Sequence, residues 1–239
     1  MLISFEGLPG AGKSTQAALL ARCLTQHGQP AVTLPDLATL PTDPVAATLV
    51  DLFASSGDPY LRHGDAITDT LLAAAIRADI VATRIDPALE GNPHPVVIED
   101  RGIHTMQSYA VASLLRDHRA SADLAITWVQ TLAALTGQRR AHAFWLRLPV
   151  EEALRRVAHR DQRAPIPEHR SYLHWVDQAY TELAQRDPQL TVLDVGTLRR
   201  AEVHQAVHQA LSTLGAGHAG SGATTPQCTG LPHGAGGPS

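Results

Sequence analysis

Gly7, Gly12, Lys13 and Ser14 meet the spacing G-x-x-x-x-G-K-[ST] within the segment Gly7-Leu8-Pro9-Gly10-Ala11-Gly12-Lys13-Ser14-Thr15. Lys13 is the only lysine of the chain; the rest of the Lys+Arg total of 19 is arginine. Following a phosphate oxygen through a reaction suits a compact ammonium on a flexible stem, whereas a guanidinium is wide and its fork is stiff. The pattern predicts a phosphate-binding loop in which the N–H groups of Gly10 through Ser14 face one concavity at a helix N-terminus. Gly7, Gly10, Ala11 and Gly12 would shape that loop, and Lys13 would bridge a transferring phosphoryl group. The Ser14 hydroxyl would hold Mg²⁺ and Thr15 would reach an α-phosphate, so ATP and Mg²⁺ are the expected cofactors. A glycine-rich turn that merely opens a helix is the plainer alternative.

Such a loop needs a strand before it and a helix after it, and the hydropathy pattern provides both. Residues 2–6 read as a buried strand and 14–27 as a helix stopped by Gly28. Further strands are expected at 31–34, 95–100, 143–148 and 190–195. Helices are expected at 45–54, 67–85, 103–117, 123–136, 150–159 and 171–185, with a closing helix to 211. Strands alternating with helices imply an α/β fold, a parallel sheet covered by helices on both faces. The segment 35–44 is proline-punctuated loop, and 160–169 is an arginine- and proline-rich loop. From Gly215 onward the chain is Gly, Ala, Ser, Thr, Pro and His with scarcely a large apolar residue. Residues 1–214 therefore read as one domain and 215–239 as a disordered tail.

Asp100 falls at the carboxyl end of the 95–100 strand, where open α/β sheets place their ligands. It is the candidate second magnesium-side group, a surface ion pair with Arg101 being the alternative. A net charge of −4 carries no basic stripe, which argues against a nucleic-acid partner. Cys23 and Cys228 are far apart and suggest neither a disulfide framework nor a metal pair, hence a reducing cytoplasm. No apolar run reaches membrane-spanning length, and no leader precedes Leu2. His204 and His208 share a helix face with no third ligand expected nearby, so a solvated face is the simpler reading.

Phe5-Glu6-Gly7 before the loop, Asp100-Arg101 after a strand, Leu146 through Arg160, and Tyr180 through Ala184 resemble the thymidylate kinase family. The likeness runs in family order from about Leu2 to Leu211. It implies a P-loop NTPase fold with a lid at about 156–169. Because the phosphate loop itself carries no arginine, it also implies that the lid arginines Arg156, Arg160 and Arg163 join Lys13, Asp100 and Arg101 in catalysis. Arg101 would lie between donor and acceptor phosphates. Glu6, Pro9, Ala73, Arg77, Arg101, Thr105 and Tyr109 would line the acceptor site, with Arg77 on the base.

The acceptor half departs from the family pattern. Pro9 stands where an acid is expected, Ala73 where an aromatic ring stacks on the base, and Thr33 through Thr39 lacks the arginine that clamps the acceptor phosphate. Arg62 or Arg101 would have to replace that clamp. The expected activity is ATP-dependent phosphotransfer to a nucleoside monophosphate, dTMP or a related pyrimidine nucleotide, with weak use of dTMP itself. A nucleoside or specialised-metabolite kinase with a rebuilt acceptor pocket is the alternative, and a non-catalytic nucleotide-binding module a third. The expected partner is a small-molecule acceptor, with no nucleic acid and no membrane; the sequence leaves a homodimer open.

Overall fold

The computed structural model describes residues 1–34, 44–60, 62, 64–91, 96–136, 139 and 141–216. Five parallel strands form one sheet: β1 (Leu2–Glu6), β2 (Ala31–Leu34), β3 (Val96–Asp100), β4 (Ala141–Arg147) and β5 (Leu190–Asp194). Their spatial order is β2-β3-β1-β4-β5. β1 and β3 are buried at every residue, as expected of inner strands covered on both sides. Phe5 pairs with Asp100 across β1 and β3, which brings the carboxyl ends of the two strands side by side. The chain reverses direction across the sheet at this point, so a crevice opens just beyond these ends.

Around the sheet lie α1 (Lys13–Gln26), α2 (Pro44–Ala54), α3 (Ala66–Ile80), α4 (Asp86–Glu90), α5 (Ile103–Asp117), α6 (Ala122–Leu135), α7 (Val150–Asp161), α8 (Pro167–Ala184) and α9 (Arg200–Ala216). One core joins Ile3, Phe5, Val96 and Ile98 of the inner strands to Leu20, Val111, Val129, Phe144, Val176 and Tyr180. Burial of this continuous apolar set is what fixes the crevice above it.

Several element boundaries differ from the sequence reading, each for a local reason. The helix expected to stop near Pro87 instead passes through a π turn, Val81–Ile85, into α4. Pro87 then falls in the first turn of α4, where its missing N–H has no intrahelical partner to lose. The loop expected at 160–169 shrinks to 162–166. α7 continues to Asp161, with Glu151 and Glu152 in its first turn and His159 and Arg160 in its last, the arrangement its dipole favours. α8 begins early because Pro167 is preset for a helix start. α9 runs to Ala216, beyond the end at 211 expected for the closing helix; the rest of the expected tail lies outside the described residues, as does most of the 35–44 loop. The expected lack of a bridge between Cys23 and Cys228 rests on Cys228, which lies outside the described residues. No helix among the described residues is long and apolar enough to cross a membrane.

Candidate active site

The phosphate loop bridges β1 and α1, and its glycines take left-handed backbone angles: φ 127° at Gly7, 82° at Gly10 and 93° at Gly12. Gly10 is required twice over. A β-carbon there would sit 3.1 Å from Ala153 O and 3.2 Å from Arg156 Cβ, so the loop approaches α7 as only glycine permits. The Lys13 amine is buried and donates to Leu8 O at 2.9 Å, which holds it over the loop.

A cavity of about 1000 Å³ opens beside this loop. Lys13, Ser14, Thr15, Asp100 and Arg101 line it, with Arg156, Arg160 and Arg163 on the far wall from α7 and the turn after it. Asp100 is buried, which removes the alternative of a surface ion pair. Arg156 is already anchored: its Nε donates to Glu152 at 2.7 Å and its guanidinium reaches Gly10 O at 3.4 Å. Arg160 is exposed and pairs with Asp161 at 2.6 Å.

Two residues expected to contact the nucleotide are directed elsewhere. Gly7 donates its N–H to Tyr180 Oη at 3.0 Å, and the Ala11 N–H turns inward to Leu8 O at 3.2 Å. Neither lines the cavity, because the loop uses those two donors to hold its own shape. The concavity is therefore lined by Gly10 and by Gly12 through Thr15, a narrower set than the motif suggests.

A second, smaller cavity of about 210 Å³ lies on the inner side of a wall shared at Pro9 and Arg101, between α3 and α5. Ala73, Thr105 and Tyr109 line it as expected, together with Thr70, Ile76 and Met106. Its most distinctive feature escaped the sequence reading. Tyr60, Tyr109 and Tyr172 form an aromatic wall, with ring centres 5.5 Å apart for Tyr60–Tyr172 and 6.0 Å for Tyr109–Tyr172. Arg62 covers that wall, its guanidinium 4.3 Å from the Tyr172 ring centre and 2.5 Å from Asp58. Burial pushes the Tyr60 phenol up to about 12, so it stays neutral. The only cue in the sequence was Tyr60 itself, in a connecting segment whose spacing to the other tyrosines carries no period.

Arg77 and Glu6 correct the acceptor-site expectation. Arg77 is buried in an ion pair with Glu99 and does not reach the cavity. Burial raises the Glu99 carboxyl, and the Arg77 charge beside it opposes that shift. An arginine at that depth needs a counter-charge, and the residue before Asp100 provides it. Glu6 is fully enclosed and lines neither cavity. Its carboxylate caps the start of α5, accepting from Gly102 N at 3.1 Å and Thr105 N at 2.9 Å. The Thr105 hydroxyl is also turned to Glu6, at 2.6 Å.

His204 and His208 are packed against α1 rather than solvated: their Nε2 atoms are 3.2 Å apart and Cys23 lies beside them. Burial lowers His204 to about 4. The candidate ligand atoms of Cys23, His204 and His208 lie within 4.8 Å of one another, so Cys23 is a third neighbour that the helix spacing alone did not suggest.

Pro9, Pro59, Tyr60 and Arg101 line both cavities, so the two spaces meet across one wall. Arg101 takes φ 74°, an uncommon angle for a side-chain-bearing residue, and donates its N–H to Phe5 O at 3.1 Å. The outer cavity has the size and lining for a polyphosphate, and the inner one has room for a nucleobase-sized ring.

The family model described as thymidylate kinase matches residues 5–207. A probable thymidylate kinase of Thermococcus kodakarensis is 30% identical over 222 residues, covering 90% of this chain and 98% of that protein. A thymidylate kinase of Symbiobacterium thermophilum is 33% identical over 191 residues, covering 79% and 81%. The crystal structure of thymidylate kinase from Ehrlichia chaffeensis shares the fold, with a TM-score of 0.63 at 19% identity over 88% of this chain and 97% of that one. The chain belongs to the thymidylate kinase family.

Proposed function

We propose that this protein transfers the γ-phosphoryl group of Mg-ATP to dTMP, yielding ADP and dTDP. The observation that carries the reading is the wall shared by the two cavities, with Arg101 facing both. In this reading the outer cavity takes the triphosphate and the inner one takes the base and sugar. A phosphate oxygen of dTMP attacks the γ-phosphorus beside Arg101 as the bond to the β-phosphate oxygen breaks. Lys13 follows the transferring group, and Arg156, Arg160 and Arg163 neutralise charge that spreads over its three oxygens. The hydroxyl of Ser14 and the carboxylate of Asp100 line one cavity and suit a hard cation. Mg²⁺ held by Ser14 and Asp100 would supply charge neutralisation for the polyphosphate oxygens, and closure of the 162–166 turn would exclude water.

On the acceptor side, the tyrosine wall takes over the stacking surface that Ala73 lacks, and Pro9 and Thr105 border the sugar and phosphate. The relatives favour dTMP over a nucleoside or specialised-metabolite acceptor, and over a module without turnover. The reaction is placed in the cytoplasm, with a small nucleotide as its partner and a homodimer left open. Chromatographic quantification of products from Mg-ATP with dTMP, dCMP, dGMP or thymidine tests the reading. Equal amounts of ADP and dTDP, with dTMP the preferred acceptor, are expected. ADP formed only with thymidine, or at one rate with and without acceptor, would refute it.

A further inference from the structure

One buried network, which touches the smaller cavity only at Gly102 and Thr105, joins the phosphate loop, the Asp100–Arg101 turn and the helix that follows the lid. Besides Gly102 N and Thr105, the Glu6 carboxylate accepts from Ser4 Oγ at 2.8 Å. The Thr105 hydroxyl, donating to Glu6, accepts from Tyr180 Oη at 2.9 Å, and Tyr180 in turn accepts the Gly7 N–H. His104 completes the set. Its Nε2 lies 2.9 Å from Asp187 Oδ2, just past the end of α8, and its Nδ1 lies 3.8 Å from Glu6 Oε1, an ion-pair distance. The ring is 1% exposed.

The turn held by this network is under constraint. A β-carbon at Gly102 would fall 2.6 Å from Ser4 Cβ and 2.7 Å from Glu6 Oε1, so the turn packs against the carboxylate with room for no side chain. Arg101, one residue earlier, is in the left-handed region, a conformation that persists only where its surroundings enforce it.

We propose that His104 is a positioning residue for the reaction proposed above: clamped between Asp187 and Glu6, its imidazolium fixes the Glu6 carboxylate, which through Gly102 N and Thr105 N keeps Arg101 at the junction of the two cavities. The charge balance supports this. Burial alone would raise Glu6, but His104, with Thr105 and Ser4, holds it at about 2. Burial alone would lower His104, but Asp187 and Glu6 carry it to about 9. The other groups that face this pair are Glu99 on β3, tied to Arg77, and the phenol of Tyr180, which burial keeps protonated. The contribution of His104 is fully present below its ordinary value of 6.5 and is lost as pH rises through about 9. The contribution of Glu6 is present above 4.5 and is lost as pH falls through about 2. The clamp therefore holds through neutral pH and releases on the alkaline side.

The test combines kcat and KM for Mg-ATP and dTMP across alkaline pH with the ¹H–¹⁵N shifts of the Gly102 and Thr105 amides. In the unaltered protein, kcat and both amides should titrate together near pH 9. Asp187→Asn removes one partner of the imidazolium and should move both midpoints down by about one pH unit or more. His104→Gln should abolish the alkaline limb and lower kcat about tenfold, with KM for ATP changed less than about twofold, as expected of a displaced turn. Midpoints unmoved in Asp187→Asn, full kcat in His104→Gln, or a lower melting temperature as the only change would overturn the proposal. The amide readout needs no turnover. Coupled amide titration without dTDP formation would refute the acceptor assignment alone, and normal dTDP formation with uncoupled amides would refute the clamp alone.

Discussion

The two cavities of this molecule were built under different rules. The outer one is made largely of backbone: a glycine loop, a helix N-terminus and the ends of two paired strands. The loop residues of its wall, within 9–15, follow one another in sequence and their glycine angles admit few substitutions, while 100–101 and 154–169 close the cavity from other elements. The inner one is made of side chains from α3, α5, α8 and the segment around Tyr60, brought together only by folding. A backbone-made site tolerates little drift. A side-chain-made site can be rebuilt while its volume is kept, as a tyrosine wall set opposite Ala73 illustrates.

The largest effect is expected in the backbone-made half. Lys13→Ala, and also Lys13→Arg, should lower kcat by about 10³-fold or more with the fold retained, since the loss is electrostatic stabilisation of the transferring group. Circular dichroism and single-turnover rates would check this, and near-normal turnover in Lys13→Arg would break the contrast between halves. At the shared wall, Arg101→Ala should cost about 10²-fold in kcat, because it removes a charge from both phosphates at once. A loss confined to KM for one substrate would place Arg101 in a single cavity. Arg160→Ala or Arg163→Ala should reduce kcat by about tenfold, more than they raise KM for ATP, because those contacts tighten in the closed, reacting state. The smallest effect belongs to the inner cavity. Tyr60→Ala should raise KM for dTMP by about three- to tenfold, the loss of one aromatic contact, while KM for ATP is unchanged. An equal rise for both substrates would mean that Tyr60 braces the lid through His169, whose ring lies 5.1 Å away, instead of serving the acceptor.

The same contrast explains what could be read from sequence. The alternation of strands and helices, the phosphate loop and the place of Asp100 beyond a buried strand all rest on local patterns, and the fold follows them closely. Lys13, Ser14, Asp100 and the three lid arginines do meet around one cavity. Arg77 was misread because its partner, Glu99, belongs to another element, and no spacing along α3 reveals that pairing. Glu6 was misread for a related reason. A carboxylate beside a phosphate loop suggests ligand chemistry, yet four donors from Ser4, Gly102 and Thr105 enclose it. Long-range pairing of buried charges is a tertiary property, and hydropathy periods do not encode it.

In the proposed reaction the two cavities are the halves of one phosphoryl-transfer site joined at Arg101. Calorimetric binding of a bisubstrate ligand, adenosine and thymidine linked through their 5′ positions by five phosphates, tests it directly. Joining two ligands that occupy adjoining cavities should give an affinity about 10²-fold or more above that of ATP or dTMP alone. Arg101→Ala should remove most of that gain. Binding no tighter than ATP, and unchanged in Arg101→Ala, would mean that the cavities do not form one site.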